Sequence, residues 1–298
     1  MRILLASAFT LLSGCAAFNY SAPDAPTAYA KPMLISPAPR IAGVLGSGGP
    51  RGYAHIGVIK VLQAQGIVPD LVVGSSVGAL IGAFWASGLT AQQLDVQSKA
   101  GGPLTLFDIN PFADRGWIQG QRLQDYVNRA LGDKPIEGLG TPFIAVATQR
   151  ASKSPVLFSS GNAGVAIRAS SAVPGVISPV GIAGVEYEDG DVSLPLAVGA
   201  ARAAGAQFVI AVDVSAYESS TPLDAKPDWV ARDKARRLKI APEAAMADFL
   251  IHPDLGYVAA PSRSYFDKAT ALGEQAALQR APALVAALRE RFGAWPVR

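Results

Sequence analysis

The sequence predicts an α/β protein with three layers, α/β/α, around a mainly parallel central sheet. Short apolar runs that end at turns alternate with segments whose apolar residues recur at helical spacing. Such alternation is typical of strands joined by helices that cover both faces of a sheet. The chain has 298 residues, of which 50% are hydrophobic and 16% charged, so it is long and apolar enough to bury a sizeable core.

The first half of this pattern lies between residues 41 and 131. Apolar runs that end at glycines predict two buried strands, and apolar residues at helical spacing predict three helices. Thr90 and Gln93 have the spacing of a capping box, so a further helix is predicted to begin there. The strands are predicted over residues 41–45 and 70–74, and the three helices over residues 51–65, 77–87 and 121–131.

The second half of the pattern continues to residue 215, beyond which the chain is predicted to be mostly helical. An Ala-rich helix is predicted over residues 195–204, with Gly205 as the residue after its end. Strands are predicted over residues 143–147, 156–159 and 208–214. The alternation of strand and helix therefore holds across both halves.

Composition and charge exclude several classes of site. The formal net charge of +3 is mild, so charge gives no indication of nucleic-acid binding. One cysteine and two histidines are too few for a cysteine-rich zinc site or a histidine cluster, and one cysteine forms no intrachain disulfide. We therefore expect neither a metal ion nor a nucleic-acid partner.

The strongest local motif is Gly74-Ser75-Ser76-Val77-Gly78, which falls where a predicted strand meets a predicted helix. This is the G-x-S-x-G pattern of a nucleophile elbow, in which a sharp turn needs small residues on both sides of the serine. The turn would lift the Ser76 hydroxyl to the positive end of a helix and direct the N–H of Val77 towards an attacked carbonyl. The motif and its context predict Ser76 as a nucleophile.

A glycine-rich run from Gly46 to Gly52 follows one predicted strand and precedes a helix. Successive backbone N–H groups without side chains form a concavity that binds anions. The spacing does not fit a dinucleotide-binding motif, which would need glycine where Arg51 stands, and no P-loop lysine follows. The remaining interpretations are a structural tight turn, or an oxyanion hole in which Gly48 and Gly49 donate to a developing alkoxide.

A third motif is the acidic turn from Glu188 to Asp191, which contains Asp189 and Gly190. A carboxylate in such a turn is able to act as general base towards Ser76. Asp-Gly is also a frequent hairpin turn whose polar groups face solvent. Taken alone, this motif favours a solvated turn.

In content and order, the three motifs together resemble the pattern of the patatin-like phospholipases, over roughly residues 40–215. The resemblance implies a three-layer patatin-like fold. It also implies that Ser76 is the nucleophile, with Asp189 as its partner in a Ser–Asp dyad. Such a site works without histidine, because the enclosed carboxylate itself accepts the serine proton.

The same resemblance implies the oxyanion hole and the reaction. Gly48 and Gly49 would supply the hole, with Arg51 in the same loop and the N–H of Val77 beside it. The implied substrates are phospholipids, lysophospholipids or related fatty-acyl esters, hydrolysed through an acyl-enzyme. No cofactor is implied.

One position departs from the family pattern. The family usually has Asp-Gly-Gly or Asp-Gly-Ala, whereas this chain has Asp189-Gly190-Asp191. A second carboxylate two residues further on would raise the pKa of Asp189 if both face the site. The sequence therefore leaves open which of the two aspartates is the base.

The first fifteen residues have the pattern of a bacterial lipoprotein signal. A basic start and an apolar stretch precede Leu12-Ser13-Gly14-Cys15, which resembles a lipobox. The single cysteine is therefore predicted to be lipidated and to anchor the chain to a bacterial membrane. Ala16, in place of aspartate, favours the outer membrane by resemblance to enteric lipoproteins. An ordinary signal peptide or a buried cysteine is the alternative.

These patterns predict three regions. Residues 1–14 are the signal peptide, and residues 15–39 are the lipidated terminus with a tether rich in Pro and Ala. Residues 40–298 are the catalytic domain, divided into a core at 40–215 that carries the motifs and a helical part at 216–298.

Other functions remain open on the sequence alone. Ser76, Asp189 and His252 follow the chain order of an α/β-hydrolase triad, which predicts a Ser–Asp–His esterase as the alternative. His55 lies in the first predicted helix and is interpreted as a packed or hydrogen-bonded residue. A catalytically inactive lipid-binding lipoprotein of the cell envelope, or an enzyme that transfers the acyl group to an alcohol, would carry the same motifs.

Two segments have a second interpretation. Residues 71–89 carry no charge and are long enough to cross a bilayer, although a buried strand followed by a buried helix gives the same pattern. Residues 226–240 combine basic and apolar side chains, which is typical of a solvated helix or of a helix that rests on an anionic membrane.

Overall fold

The computed structural model describes residues 19–100, 106–113 and 115–293. The predicted signal peptide and Cys15 lie outside these ranges. The strands in the described ranges are β1 (Asn19–Tyr20), β2 (Ala28–Tyr29), β3 (Ile41–Leu45), β4 (Leu71–Ser75), β5 (Phe143–Gln149), β6 (Pro155–Phe158), β7 (Val180–Ile182), β8 (Val185–Asp189), β9 (Phe208–Val212) and β10 (Phe249–Ile251). The α-helices there are α1 (Ala54–Ala64), α2 (Val77–Ala86), α3 (Ala91–Lys99), α4 (Gln121–Ala130), α5 (Ala163–Ser170), α6 (Val198–Ala203), α7 (Pro227–Ala245) and α8 (Arg263–Phe292).

All these strands belong to one sheet, whose centre is parallel. Five strands run parallel in the order β5-β4-β3-β9-β10. An antiparallel flank follows, because β6 and β8 both pair antiparallel with β5, and β7 pairs antiparallel with β8. β1 adds to β7, and β2 adds to β6. The sheet is therefore mainly parallel, as predicted, and its flank carries Asp189 at the end of β8.

The central strands are covered on both faces. Every residue of β3, β4 and β9 is buried, which explains why these strands read as continuous apolar runs. Successive side chains enter different cores: Ile41 and Leu45 join one cluster, whereas Ala42 and Val44 join the other. The first cluster includes residues of α1, α2 and α8, and the second includes residues of α6 and Ile240 of α7. This arrangement confirms the three-layer α/β/α prediction.

Most predicted elements are present with small shifts in their ends. Thr90 and Gln93 form both hydrogen bonds of the predicted capping box at the start of α3. The helix predicted over 51–65 is divided, because a short 3₁₀ segment, Gly49–Tyr53, precedes α1. Residues 71–89 are a buried strand followed by the buried helix α2, and no helix in the described ranges is long and apolar enough to cross a membrane.

Helices α1 and α8 cross with their backbones in contact. A methyl group built on Gly57 of α1 would lie 2.0 Å from the carbonyl oxygen of Thr270, and one on Gly273 of α8 would lie 2.1 Å from that of Ala54. Atoms at such distances overlap, so each helix needs glycine at the crossing. The crossing holds α8 against the segment that contains the glycine-rich loop.

We expect Gly273→Ala to lower the free energy of unfolding by about 2 kcal/mol or more, since neither helix backbone can move without losing core contacts. Denaturant unfolding of the purified protein measures this. Gly140→Ala is the matched control, because its new methyl group would lie 3.5 Å from the nearest atom, the carbonyl oxygen of Ala86. A Gly273→Ala protein as stable as the control would contradict the close crossing.

Candidate active site

Ser76 occupies a strained turn between β4 and α2. Its backbone has φ 55° and ψ −124°, a conformation that residues other than glycine rarely adopt. The flanking glycines are sterically required, because a methyl group on Gly74 would lie 2.3 Å from the carbonyl oxygen of Gly78. A methyl group on Gly78 would lie 2.2 Å from the carbonyl oxygen of Leu45. The turn therefore has the geometry that the serine motif predicts.

The Ser76 hydroxyl donates a hydrogen bond to Asp189. The distance from Ser76 Oγ to Asp189 Oδ2 is 2.8 Å, across a sequence separation of 113 residues. Both residues are buried, with 7% of Ser76 and 2% of Asp189 exposed. The backbone N–H of Ser76 donates to Ser170 Oγ at 2.9 Å, and the Ser170 hydroxyl donates to the carbonyl oxygen of Val146. Sequence analysis did not identify Ser170.

The strand register explains how this pair meets. Ser75 pairs with Val146 and Asp189 pairs with the next residue, Ala147, along the same edge of β5, because β6 covers both residues from the opposite edge. Strands β4 and β8 therefore end against each other on that edge, which brings Ser76 and Asp189 together. The chain passes close to that strand, because a methyl group on Gly190 would lie 2.4 Å from the carbonyl oxygen of Val146.

Hydrogen bonds fix Asp189 on three sides. Its backbone N–H donates to the carbonyl oxygen of Ala172 at 3.0 Å, and its own carbonyl oxygen accepts from Thr148 Oγ1 at 2.8 Å. Its Oδ1 atom accepts from the backbone N–H of Asp191 at 2.8 Å. The carboxyl group thus has one oxygen on the Ser76 hydroxyl and one on the backbone of the following turn.

Burial, and after it the charge of Asp191, raises the pKa of Asp189 to about 7. The N–H of Asp191, the Ser76 hydroxyl and the charge of Arg236 act the other way, because each stabilises the carboxylate. A carboxyl group with this pKa gains and loses a proton near neutral pH. Chemically, the pair is able to move a proton from Ser76 Oγ to Asp189.

The glycine-rich loop packs on the first turn of α2. A methyl group on Gly52 would lie 2.3 Å from Val77 Cγ1, so the loop and the start of the helix are in direct contact. The backbone N–H groups of Gly48, Gly49 and Val77 have no hydrogen-bond acceptor among the described residues. Backbone donors of this kind, in a loop that packs on the residue after Ser76, are suited to an oxyanion.

Arg51 braces this loop. Its backbone N–H donates to the carbonyl oxygen of Gly48 at 3.2 Å, so that donor is already used. Its guanidinium donates to the carbonyl oxygen of Gly256 at 3.3 Å and to that of Tyr257. Arg51 lies in the loop, as the resemblance implies, but the free backbone donors are those of Gly48, Gly49 and Val77.

His55 supports the start of the loop. It is fully buried in α1, and its Nε2 atom lies 2.8 Å from the carbonyl oxygen of Gly46. Burial lowers the pKa of His55 to about 4, so the ring is neutral at physiological pH and donates this bond. The interpretation of His55 as a hydrogen-bonded helix residue is confirmed.

His252 has different partners. Its Nε2 atom lies 2.9 Å from the carbonyl oxygen of Ser215 and 3.8 Å from Asp213 Oδ2, and its ring stacks on Tyr217. No hydrogen bond in the described structure joins His252 to Ser76. The structure therefore does not assemble the predicted alternative triad.

The side chain of Asp191 has partners other than Ser76. Its Oδ1 atom accepts hydrogen bonds from Ser47 Oγ and from Arg236 Nε, the latter at 2.6 Å. Arg236 entered the sequence analysis only as part of the basic stretch, because no local pattern connects it to this turn. Over the described ranges, the structure contains no group of three or more metal-ligating side chains.

Several known proteins are similar to this chain in sequence or in fold. A family model described as patatin-like phospholipase matches residues 43–202, which include all three motifs. An uncharacterised NTE-family protein of Mycobacterium tuberculosis is 36% identical over 207 residues, which are 66% of this chain and 55% of that protein. Lysophospholipase nte1 of Aspergillus fumigatus is 32% identical over 184 residues, which are 60% of this chain and 12% of that protein.

The chain thus spans about half the length of the mycobacterial relative and a small part of the fungal one. Among solved structures, VipD from Legionella pneumophila is similar in fold, with a TM-score of 0.56 and 13% identity over 84% of this chain and 66% of that chain. The family model covers more than half of the sequence and includes the serine, the glycine loop and the Asp-Gly turn. The chain belongs to the patatin-like phospholipase family.

Proposed function

We propose that this protein is a serine lipid acyl hydrolase that releases fatty acids from phospholipids, lysophospholipids or related acyl esters. The hydrogen bond of 2.8 Å between Ser76 Oγ and Asp189 Oδ2 is the observation that carries this proposal. It joins a hydroxyl on a nucleophile elbow to a buried carboxyl group with a raised pKa, next to three free backbone donors. A fungal relative that is named a lysophospholipase supports the substrate class.

The proposed reaction uses Ser76 and Asp189 as a dyad. Asp189 accepts the hydroxyl proton while Ser76 Oγ bonds to the ester carbonyl carbon, and the N–H groups of Gly48, Gly49 and Val77 hold the resulting oxyanion. The C–O bond of the ester then breaks, and the alcohol leaves with the proton from Asp189. Water next gives a proton to Asp189 and attacks the acyl-enzyme. Finally Ser76 recovers the proton as the fatty acid leaves.

We expect Ser76→Ala and Asp189→Asn to lower fatty-acid release by about 10⁴-fold or more, since each removes one half of the dyad. Asp191→Asn should keep at least about a tenth of the wild-type rate, because this carboxylate lies on Arg236 and not on Ser76. The measurement is fatty-acid release from mixed phospholipid and lysophospholipid vesicles by the protein from residue 16 onward.

A large loss in Asp191→Asn, with Asp189→Asn still active, would assign the base to Asp191 instead. A folded wild-type protein that neither releases fatty acid nor reacts with a fluorophosphonate would refute the hydrolase proposal and favour a lipid-binding role. Release of acylated glycerol in place of free fatty acid, when glycerol is added, would show an acyltransferase.

The pH dependence of kcat/KM should report the pKa of Asp189. The general base must be deprotonated, and its pKa is about 7, so kcat/KM is expected to fall about tenfold per pH unit below neutrality. A rate profile between pH 5 and pH 9 measures this. In Asp191→Asn the midpoint should move to lower pH, because the charge of Asp191 raises the pKa of Asp189. An unchanged rate down to pH 5 would argue against a base with this pKa.

We also propose that lipidated Cys15 anchors the protein to the bacterial cell envelope, with the outer membrane as its site. The single cysteine at the end of a lipobox-like segment supports this. Full-length protein expressed in a bacterial host is expected in the membrane fraction, since acyl chains bind bilayers by about 0.8 kcal/mol per buried CH₂. Cys15→Ala should move it to the soluble fraction. A Cys15→Ala protein that remains as membrane-bound as the wild type would rule the anchor out.

A further inference from the structure

The side chain of Arg236 joins helix α7 to both the acidic turn and the glycine-rich loop. Of the residues of α7 only Ile240 is buried, so α7 contributes little to the core. Arg236, by contrast, is 17% exposed at its side chain and makes three hydrogen bonds towards the site. Its Nε donates to Asp191 Oδ1 at 2.6 Å, and its Nη2 donates to the carbonyl oxygen and the Oγ of Ser47, both at 2.8 Å. The Ser47 hydroxyl in turn donates to Asp191 Oδ1.

The contact with the Ser47 carbonyl fixes the direction of an oxyanion donor. The carbonyl group of Ser47 and the N–H of Gly48 belong to one peptide unit. A trans peptide is planar, and its C=O and N–H bonds point in opposite directions. When Arg236 holds the carbonyl oxygen, the Gly48 N–H is therefore held on the opposite side of the same plane. The other face of the loop is held by His55, which binds the carbonyl oxygen of Gly46.

The contact of Arg236 with Asp191 gives the two carboxyl groups of the turn different partners. Asp191 stands two residues from Asp189, where its charge opposes ionisation of the base. Arg236 pairs with Asp191 and places a positive charge near Asp189, so it acts in the opposite direction. The remaining groups that contact the Asp189 carboxyl group, the Ser76 hydroxyl and the backbone N–H of Asp191, are uncharged hydrogen-bond donors.

We propose that Arg236 is a positioning residue for the ester hydrolysis, which holds the Gly48 N–H in the oxyanion hole and keeps Asp191 paired so that Asp189 is the base. This inference rests on the proposed hydrolase function. Arg236 touches neither the ester nor Ser76, and it acts through Ser47 and Asp191. A structural role alone would change stability, whereas this role changes kcat and the pH profile.

The test compares Arg236→Ala, Arg236→Gln and Arg236→Lys with Arg237→Ala, which removes the same charge from the next position of α7. With lysophosphatidylcholine as substrate, Arg236→Ala is expected to lower kcat by about 10²-fold with KM nearly unchanged, as for loss of an oxyanion donor. The acid limb of its pH profile should move to higher pH, because the carboxylate of Asp189 loses a favourable charge. Arg236→Lys should restore the position of the acid limb.

Arg237→Ala should stay within twofold of the wild type in kcat and keep its acid limb. If Arg236→Ala is unstable, Arg236→Gln removes the charge while keeping a polar side chain with the same three-carbon start. Variants at Arg236 that match Arg237→Ala in kcat and in pH profile would overturn the proposal. A loss of kcat that comes with a lower unfolding temperature and an unchanged acid limb would also overturn it.

A second readout does not depend on turnover. The carboxyl ¹³C signal of Asp189 follows its protonation by NMR in the wild type, Arg236→Gln and Arg237→Ala. The midpoint is expected to rise in Arg236→Gln and to stay at the wild-type value in Arg237→Ala, and equal midpoints in all three would refute the pairing role. A wild-type protein with no hydrolysis but with this pattern of midpoints would refute the proposed function and retain the electrostatic role of Arg236.

Discussion

The contact between Ser76 Oγ and Asp189 Oδ2 is the constraint on which the site depends. Two residues separated by 113 positions must meet within 2.8 Å inside the protein. Strand β5 makes this possible, because β4 and β8 pair with successive stretches of the same edge and end next to each other there. The antiparallel direction of β8 matters here, because β8 runs opposite to β4 and so ends beside Ser75. Gly190 completes the approach by leaving room for the carbonyl oxygen of Val146.

Placing the carboxyl group there has a thermodynamic consequence. The pKa of Asp189 is about 7 in the folded protein and close to its ordinary value of 3.8 in an unfolded chain. Its contribution to stability is present at low pH and is lost as the pH rises through 7, by on the order of a few kcal/mol. His55 acts with the opposite sign, because its folded pKa of about 4 lies below the ordinary 6.5 and its contribution is lost as the pH falls. Between pH 4 and pH 7 the two effects on the free energy of unfolding therefore partly cancel.

Much of this architecture was predictable from the sequence, and the reasons differ by element. Fully buried strands such as β3, β4 and β9 have continuous apolar sequences, so the sequence predicts them. The glycine and serine motifs are local in the sequence, so they are predicted as well. The strand β8 was missed because its sequence is half polar and its pairing with β5 is set by tertiary contacts. Ser170 and Arg236 were missed for a related reason, since they contact the site from 94 and 45 residues away. Spacing along the chain carries no signal for such contacts.

In the turn at residues 189–191, the surroundings of each aspartate, and not its sequence context, determine its partners. Asp189 and Asp191 are the same side chain in the same turn, and no pattern distinguishes them. In the structure, Asp189 is enclosed and its carboxyl group accepts from a hydroxyl and a backbone N–H, whereas the side chain of Asp191 is 39% exposed and paired with Arg236. A carboxyl group that is enclosed away from solvent keeps its proton to higher pH. The departure from the usual family motif therefore adds a second carboxylate whose partner, Arg236, is supplied by a helix far along the chain.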